Sequence, residues 1–431
     1  MRWLLLALSL VSGPVRAGEY TTFEGHGGPI MGLAVSPAGQ VATTSFDNSV
    51  GLWQGQRSRW LERHTAAVNC AVFPSETSLV SGGDDFTLVF WDLTLGTATA
   101  KNGHQGKVKS LAASPDGTMV ASASWDGSIG LWTLTDAGSR FLRGHGGPVN
   151  DVAFSDDGAR LYSASADGSL RIWDVASGTE LGRLVEHGFG LNEIVVNEAA
   201  GWIAYGAVDG GTRVIDIATG TTLADLSLER RPILAMAMSP DGGLLSVGDG
   251  EGYIMVVDTA TWSVVSDFRA TKRGPVWALT FSADGSNILA GGLDDTAHSW
   301  PVLTLDSYDG VEVADPSFLA NPATLPNGER QFKRKCSICH TLTPGSARRA
   351  GPTLYGLFGR PAGTVADYRY SAALDDSELI WNEHTIDALF DIGPEHYIPG
   401  TKMPMQRIAG AGDRADLIEY LRSETAPKEK P

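Results

Sequence analysis

The segment Cys336-Ser337-Ile338-Cys339-His340 holds two thiols separated by two residues, with an imidazole directly after the second. Each thiol can add to one vinyl group of haem, and the adjacent His then reaches the iron from the same side, so the spacing reads as c-type haem attachment. A thioredoxin-like dithiol lacks the preceding strand here and leaves His340 unexplained. A zinc site needs four ligands, and no Cys follows Cys339. The second axial position calls for a soft donor far downstream. Met403 in YIPGTKMP meets that need, with Met405 as its neighbouring competitor. A thioether on iron favours the reduced state and raises the potential.

These residues must be positioned by a chain of 431 residues, long enough for two or three domains. Its 42% hydrophobic and 19% charged residues exclude wholesale disorder and a multi-span membrane protein. Three Cys exclude a disulfide scaffold. The net charge of -17 argues against nucleic acid as a partner, because phosphate binding needs clustered Lys and Arg. Met1-Arg2 is followed by the short apolar run WLLLALSL and then VSGPVRA, which reads as a signal peptide over residues 1–17, cleaved near Ala17. The run is too short to span a bilayer, which takes roughly 20 residues. An uncleaved anchor is the alternative. With no twin-arginine pair, general secretion is expected, giving a soluble periplasmic protein without a stable membrane span.

A repeat fills the first two thirds. Anchor residues Trp53, Trp91, Trp132, Trp173, Ile215, Val257 and Trp300 are spaced by 38 to 43 residues, with Asp47, Asp85, Asp126, Asp167, Asp209, Glu251 and Asp294 six positions before them. His26, His64, His104, His145 and His187 precede their anchors by 27 or 28. Short strands and SPDG-type turns at this period fit one four-stranded blade per repeat. Residues 20–300 thus resemble the WD-repeat family, and the resemblance implies a seven-bladed propeller over 18–301. It also implies a buried hydrogen-bonded chain within a blade: His26, Thr43, Asp47, Trp53; His64, Ser81, Asp85, Trp91; His104, Ser122, Asp126, Trp132; His145, Ser163, Asp167, Trp173. Tyr205 and Ala290 replace the hydroxyl residue in later blades, and Ile215 and Val257 replace the Trp. Tyr20–Phe23 is expected to close the seventh blade as its outer strand. Only His298 is left outside the network, too thin a supply of ligands for a second metal or haem. Cys70 reads as a buried core thiol.

From Pro301 the texture changes. An acidic, Pro-bearing linker is expected over 302–325, a helical domain over 326–426 and a tail over 427–431. The runs KCSICHTL, GPTLYGLFGR, Tyr370, Trp381, YIPGTKM and DLIEYLRS recur in order and resemble the class I, mitochondrial-type and bacterial soluble, cytochromes c. The resemblance implies one covalent haem c on Cys336 and Cys339. His340 would be its proximal ligand, with the Pro352 carbonyl accepting from the outer ring N–H. Met403 would be the distal ligand, Arg360, Tyr370 and Trp381 would donate to a propionate, and Thr401 would flank the Met loop. The family's Tyr before the YIPG run is absent: between Thr385 and Pro394, with one inserted residue, stand Leu389 and Phe390.

The whole chain is therefore expected to be an all-β seven-bladed propeller followed by a small all-α cytochrome c domain. Residues 322–431 hold 14 basic and 14 acidic side chains, so the entire negative charge lies in residues 1–321, with 19 basic and 36 acidic. Lys333, Arg334, Lys335, Arg348, Arg349 and Lys402 fall in segments that rim the haem edge in the family. They would steer acidic redox partners, or dock on the acidic propeller when idle. Two strong axial ligands leave no open iron position, so the expectation is a periplasmic electron carrier, not an enzyme, whose propeller docks a redox protein. The alternatives are a propeller that is itself catalytic or holds a second cofactor fed by the haem, as in the architecture of nitrite reductases pairing a c-haem with a propeller, or a haem-based redox sensor.

Overall fold

The computed structural model describes residues 19–135, 138–271, 274–307, 325–375, 377–404 and 406–427. The expected signal peptide, Met405 and most of the expected linker lie outside them. Seven four-stranded antiparallel sheets form the propeller. In each, the first strand touches the first strands of the two neighbouring blades, and the ring closes where Ile30–Val35 meets Val276–Phe281. The N-terminal strand Thr21–Glu24 pairs antiparallel with Thr296–Pro301, in register Thr21 to Ser299 and Glu24 to Thr296. Joining the first strand to the last blade removes the open edge that a ring of separate sheets would keep.

The four blade networks are present. In blade three, the Trp132 indole donates to Ser122 Oγ at 2.8 Å, Ser122 Oγ lies 2.7 Å from His104 Nε2, and His104 Nδ1 lies 2.9 Å from Asp126. The carboxylate can only accept, so the proton sits on Nδ1, and the Ser hydroxyl donates to Nε2. The same links join His26 with Thr43 and Asp47, His64 with Ser81 and Asp85, and His145 with Ser163 and Asp167. Burial opposes ionisation of Asp126, but donors from Ser128, the Gln105 N–H and His104 outweigh it and hold the carboxyl at about 2. Burial pulls His104 and His145 below the ordinary imidazole value despite their acids.

The last blades solve the same problem differently, and three expectations are corrected. His187 is turned over: Nε2 meets Asp209 at 3.1 Å and Nδ1 accepts from Arg213 at 2.9 Å, because Tyr205 is too large to stand where Ser stands. In blade six the turn acid is Asp249, not the exposed Glu251. Asp249 accepts from the N–H groups of Glu251 and Tyr253 and pairs with Arg230 at 2.8 Å. His298 is not left over, since Nε2 binds Asp294 at 3.0 Å and Nδ1 accepts from Tyr20 at 2.8 Å. Cys70 is only partly buried, with its Sγ 3.7 Å from the Gly82 carbonyl. The expected linker also starts too early, because Val302–Ser307 is a 3-10 turn whose Leu305 is buried in the core of blades six and seven.

The helical domain contains α1 (Asn327–Lys335), α2 (Ala372–Asp375), α3 (Glu383–Ile392), α4 (Pro394–Tyr397) and α5 (Ala411–Thr425). α1 packs on α5, with Phe332 and Tyr420 rings 5.7 Å apart. α3 starts at a capping box, in which Asn382 accepts from the Thr385 N–H and Thr385 Oγ1 accepts from the Asn382 N–H. Its Ile386, Leu389 and Phe390 fall on one face and are buried. Arg414 on α5 ties down α3 through Asp387 at 2.7 Å and Asp391 at 3.0 Å. Among the described residues, no helix is long and apolar enough to cross a membrane.

Candidate haem site

The chain leaves α1 in a turn that carries the two thiols and the imidazole. Cys336 N–H donates to Phe332 O at 2.8 Å, and His340 N–H to Cys336 O at 2.9 Å, so one helical turn stacks Cys336 against His340. Cys336 and Cys339 are buried. Burial pushes their free thiols up to about 12 and about 11, so both are neutral thiols before any modification.

His340 Nδ1 lies 2.7 Å from the Pro352 carbonyl oxygen. That oxygen can only accept, so Nδ1 carries the proton, and Nε2 keeps its lone pair for a metal. Burial pulls the imidazole below its ordinary value; the Pro352 carbonyl opposes this and the Arg360 charge reinforces it. The ring is held from behind by Gly351, where a Cβ would stand 2.4 Å from Cε1. Only glycine fits that close approach.

One pocket is lined by Cys336, Cys339, His340, Pro352, Arg360, Tyr370, Trp381, Thr401 and Met403, every site residue the sequence singled out. Its walls are mainly apolar, and α3 supplies Ile386, Leu389 and Phe390. Met403 packs against the same core. Its backbone N–H donates to Thr401 Oγ1 at 3.2 Å, which pins the Met loop. The Arg360 guanidinium is fixed by the carbonyls of Tyr355 and Thr353, each at 2.8 Å. These bonds hold a cation at the pocket wall despite burial, which lowers its affinity for the proton. Trp381 and Arg360 are joined by a backbone bond of 3.0 Å.

The donor set fits haem. Two neutral thiols, an imidazole nitrogen with a free lone pair and a thioether converge on one apolar pocket, with a fixed cation where a carboxylate would be hidden.

The sequence reading missed two groups of lining residues. Tyr368 donates to the Ala350 carbonyl at 2.6 Å and lines the pocket, and burial pushes its phenol up to about 12. Its ring packs edge-to-face on that of Tyr370 at 4.9 Å. The other group comes from the propeller. Phe46, Asn48, Ala66, Ala67 and Asp84 line the mouth of the same pocket. No local pattern could have paired them with residues so distant in the chain.

The family models agree with this layout. Residues 325–425 match the model described as Cytochrome c. Cytochrome c of Sesamum indicum is 46% identical over 109 residues, covering 96% of that protein and 25% of this chain. Cytochrome c of Gossypium barbadense is 47% identical over 109 residues, covering 96% of that protein and 25% of this chain. Cytochrome c of Chlamydomonas reinhardtii is 40% identical over 111 residues, covering 98% of that protein and 26% of this chain.

The chain belongs to the cytochrome c family.

Membership comes through its C-terminal domain, and it makes the protein a carrier of covalently bound haem c working by haem-based electron transfer. The model described as WD domain, G-beta repeat matches residues 18–54, 55–92, 97–133, 139–174 and 262–301. The unmatched stretch 175–261 contains the turned-over His187 and the Arg230–Asp249 pair. This cytochrome c therefore carries a WD-repeat propeller, a fold that often mediates protein interactions.

Proposed function

We propose that this cytochrome c is an exported, periplasmic single-electron carrier, and that its propeller docks a redox protein. The observation that carries the reading is the convergence of Cys336, Cys339, His340 and Met403 on one pocket. Cys336 and Cys339 would hold the haem, and His340 Nε2 and the Met403 sulfur would take the two axial positions. Arg360, Tyr370 and Trp381 would donate to a propionate, and Thr401 would hold the Met loop. When bound, the haem supplies a one-electron couple at iron.

The protein's part is to keep that couple ready. Pro352 fixes the His340 tautomer and raises its basicity, and Gly351 lets the ring sit against the backbone. The apolar face of α3 excludes water. His340 and Met403 would both bind the iron and leave a substrate no place on it, which favours a carrier over an enzyme. All six propeller histidines are hydrogen-bonded to acids within their blades. Among the described residues, no cluster of three or more His, Cys, Asp or Glu could hold a metal ion. The engagement of the histidines favours a docking platform over a propeller with its own cofactor. Export is supported by the charged start, short apolar run and small-residue site of residues 1–17.

The test is a reductive titration of the purified holoprotein with an optical spectrum. The expected result is one electron per chain, a single c-type haem spectrum and ferric iron that resists cyanide at neutral pH. A second haem type, or rapid cyanide binding, would contradict the carrier reading.

A further inference from the structure

The two domains meet at the mouth of the haem pocket. The loop before Gly351 presents Ala347 and Arg348, both in the left-handed region, with φ +46° and +54°. Its shape is fixed by Asp367, which accepts from Ser346 N–H at 2.7 Å and Ser346 Oγ at 2.8 Å. Arg348 reaches the last strand of blade one, Arg57–Glu62. Its Nη2 binds Glu62 at 2.8 Å, and its guanidinium lies 4.1 Å from the centre of the Trp60 ring. The backbone of the loop rests on Gly27, where a Cβ would stand 2.2 Å from the Arg348 carbonyl carbon and 2.5 Å from the Ala347 oxygen. Gly27 is itself set by the blade network, since its N–H donates to Asp47 at 2.9 Å. Beside this contact, Phe46, Asn48, Ala66, Ala67 and Asp84 complete the wall of the haem pocket.

We propose that the propeller is the resident partner of the haem domain: blades one and two cap the pocket mouth, and a protein that exchanges electrons there must first displace them. This rests on the reading of the pocket as the haem site. The contact has the make-up of a displaceable interface. It combines one partly exposed ion pair and one cation–π contact, which are individually weak, with a close backbone fit, which is specific. The ion pair weakens with salt. Residues 308–324 join the domains in one chain. The tether keeps the cap at high local concentration, so weak contacts hold it closed. A competing partner would present what the propeller presents, a carboxylate beside an aromatic ring.

The blades supply their own control. Gly146 follows His145 in blade four as Gly27 follows His26 in blade one, and it makes the same bond to its turn acid, Asp167 at 2.8 Å. A Cβ on Gly146 meets nothing closer than 3.9 Å. Gly27→Ala should therefore expel the loop, while Gly146→Ala should not. The experiment uses the full-length holoprotein. Small-angle scattering reads the radius of gyration. Stopped-flow reads ferric haem reduction by free reduced flavin mononucleotide and by flavodoxin hydroquinone, the same flavin inside an acidic protein.

The expected result is a larger radius for Gly27→Ala and a flavodoxin-to-flavin rate ratio raised about tenfold, equivalent to about 1.4 kcal/mol of lost closure. Glu62→Arg should act in the same direction, and adding Arg348→Glu should recover only the ion-pair part of the loss, because the cation over Trp60 is gone. Gly27→Ala and Glu62→Arg that match wild type in both radius and rate ratio would overturn the proposal. Failure of the haem reading itself would show separately, as a wild-type optical spectrum without a low-spin c-type haem.

Discussion

Replacing Gly351 by alanine tests the support behind the proximal imidazole. The new Cβ would lie 2.4 Å from His340 Cε1 and 2.7 Å from Nδ1. A normal carbon contact needs about 3.5 Å, so ring and backbone must part by roughly 1 Å. The Nδ1–Pro352 bond of 2.7 Å would then exceed hydrogen-bond range. Overpacking costs about 1–3 kcal/mol, and the orphaned buried donor and acceptor add about 1–3 kcal/mol. The expected loss of domain stability is about 2–6 kcal/mol. The potential should rise as well, because an imidazole that loses its acceptor gives less electron density to the ferric state. Thermal melting followed at the haem absorption, with a potentiometric titration, reads both effects. Gly412→Ala is the control, since nothing lies near its Cβ. A Gly351→Ala protein that melts with wild type and keeps its potential would refute the reasoning.

Two further predictions concern the propeller. Ser122→Ala leaves the Trp132 N–H and His104 Nε2 without their shared partner. It should cost about 2–5 kcal/mol in urea unfolding, and a loss below about 0.5 kcal/mol would show that the network contributes little. Acid should act in two stages. His104 and His145 have folded pKa values below the ordinary 6.5, so the unfolded chain binds protons first, and stability falls as pH drops through and below about 6.5. Asp126, held at about 2, adds a second loss between about pH 4 and pH 2. Calorimetry should show a melting temperature flat above pH 7 and falling in these two windows; a maximum near pH 5 would contradict the assignment.

What was legible in the sequence follows from locality. The blades repeat, so Trp53, Trp91, Trp132 and Trp173 announced the period, and the networks followed from the resemblance to the WD-repeat family. The haem site was legible because Cys336, Cys339 and His340 are neighbours, and because the runs around Pro352, Arg360 and Met403 resemble a known family. The failures share one cause, that spacing stands in for geometry only while the residue types hold. Counting back six from Val257 gave Glu251, yet Asp249 does the work, because its carboxylate reaches both the turn N–H groups and Arg230. His298 was set aside because it stands beside its anchor, not a blade-length before it. It still reaches Asp294 one turn away and Tyr20 from the far end of the propeller. Nothing local could tell that Arg348 meets Glu62, 286 residues distant.

The central claim is that His340 and Met403 clamp the iron. Proton NMR of the ferrous holoprotein tests it most directly, since a methionine methyl over a haem face is shifted far upfield by the ring current. The account predicts one such three-proton resonance, lost in Met403→Leu and kept in Met405→Leu. A spectrum without it, or one in which the Met405 substitution removes the signal and the Met403 substitution spares it, would contradict the account.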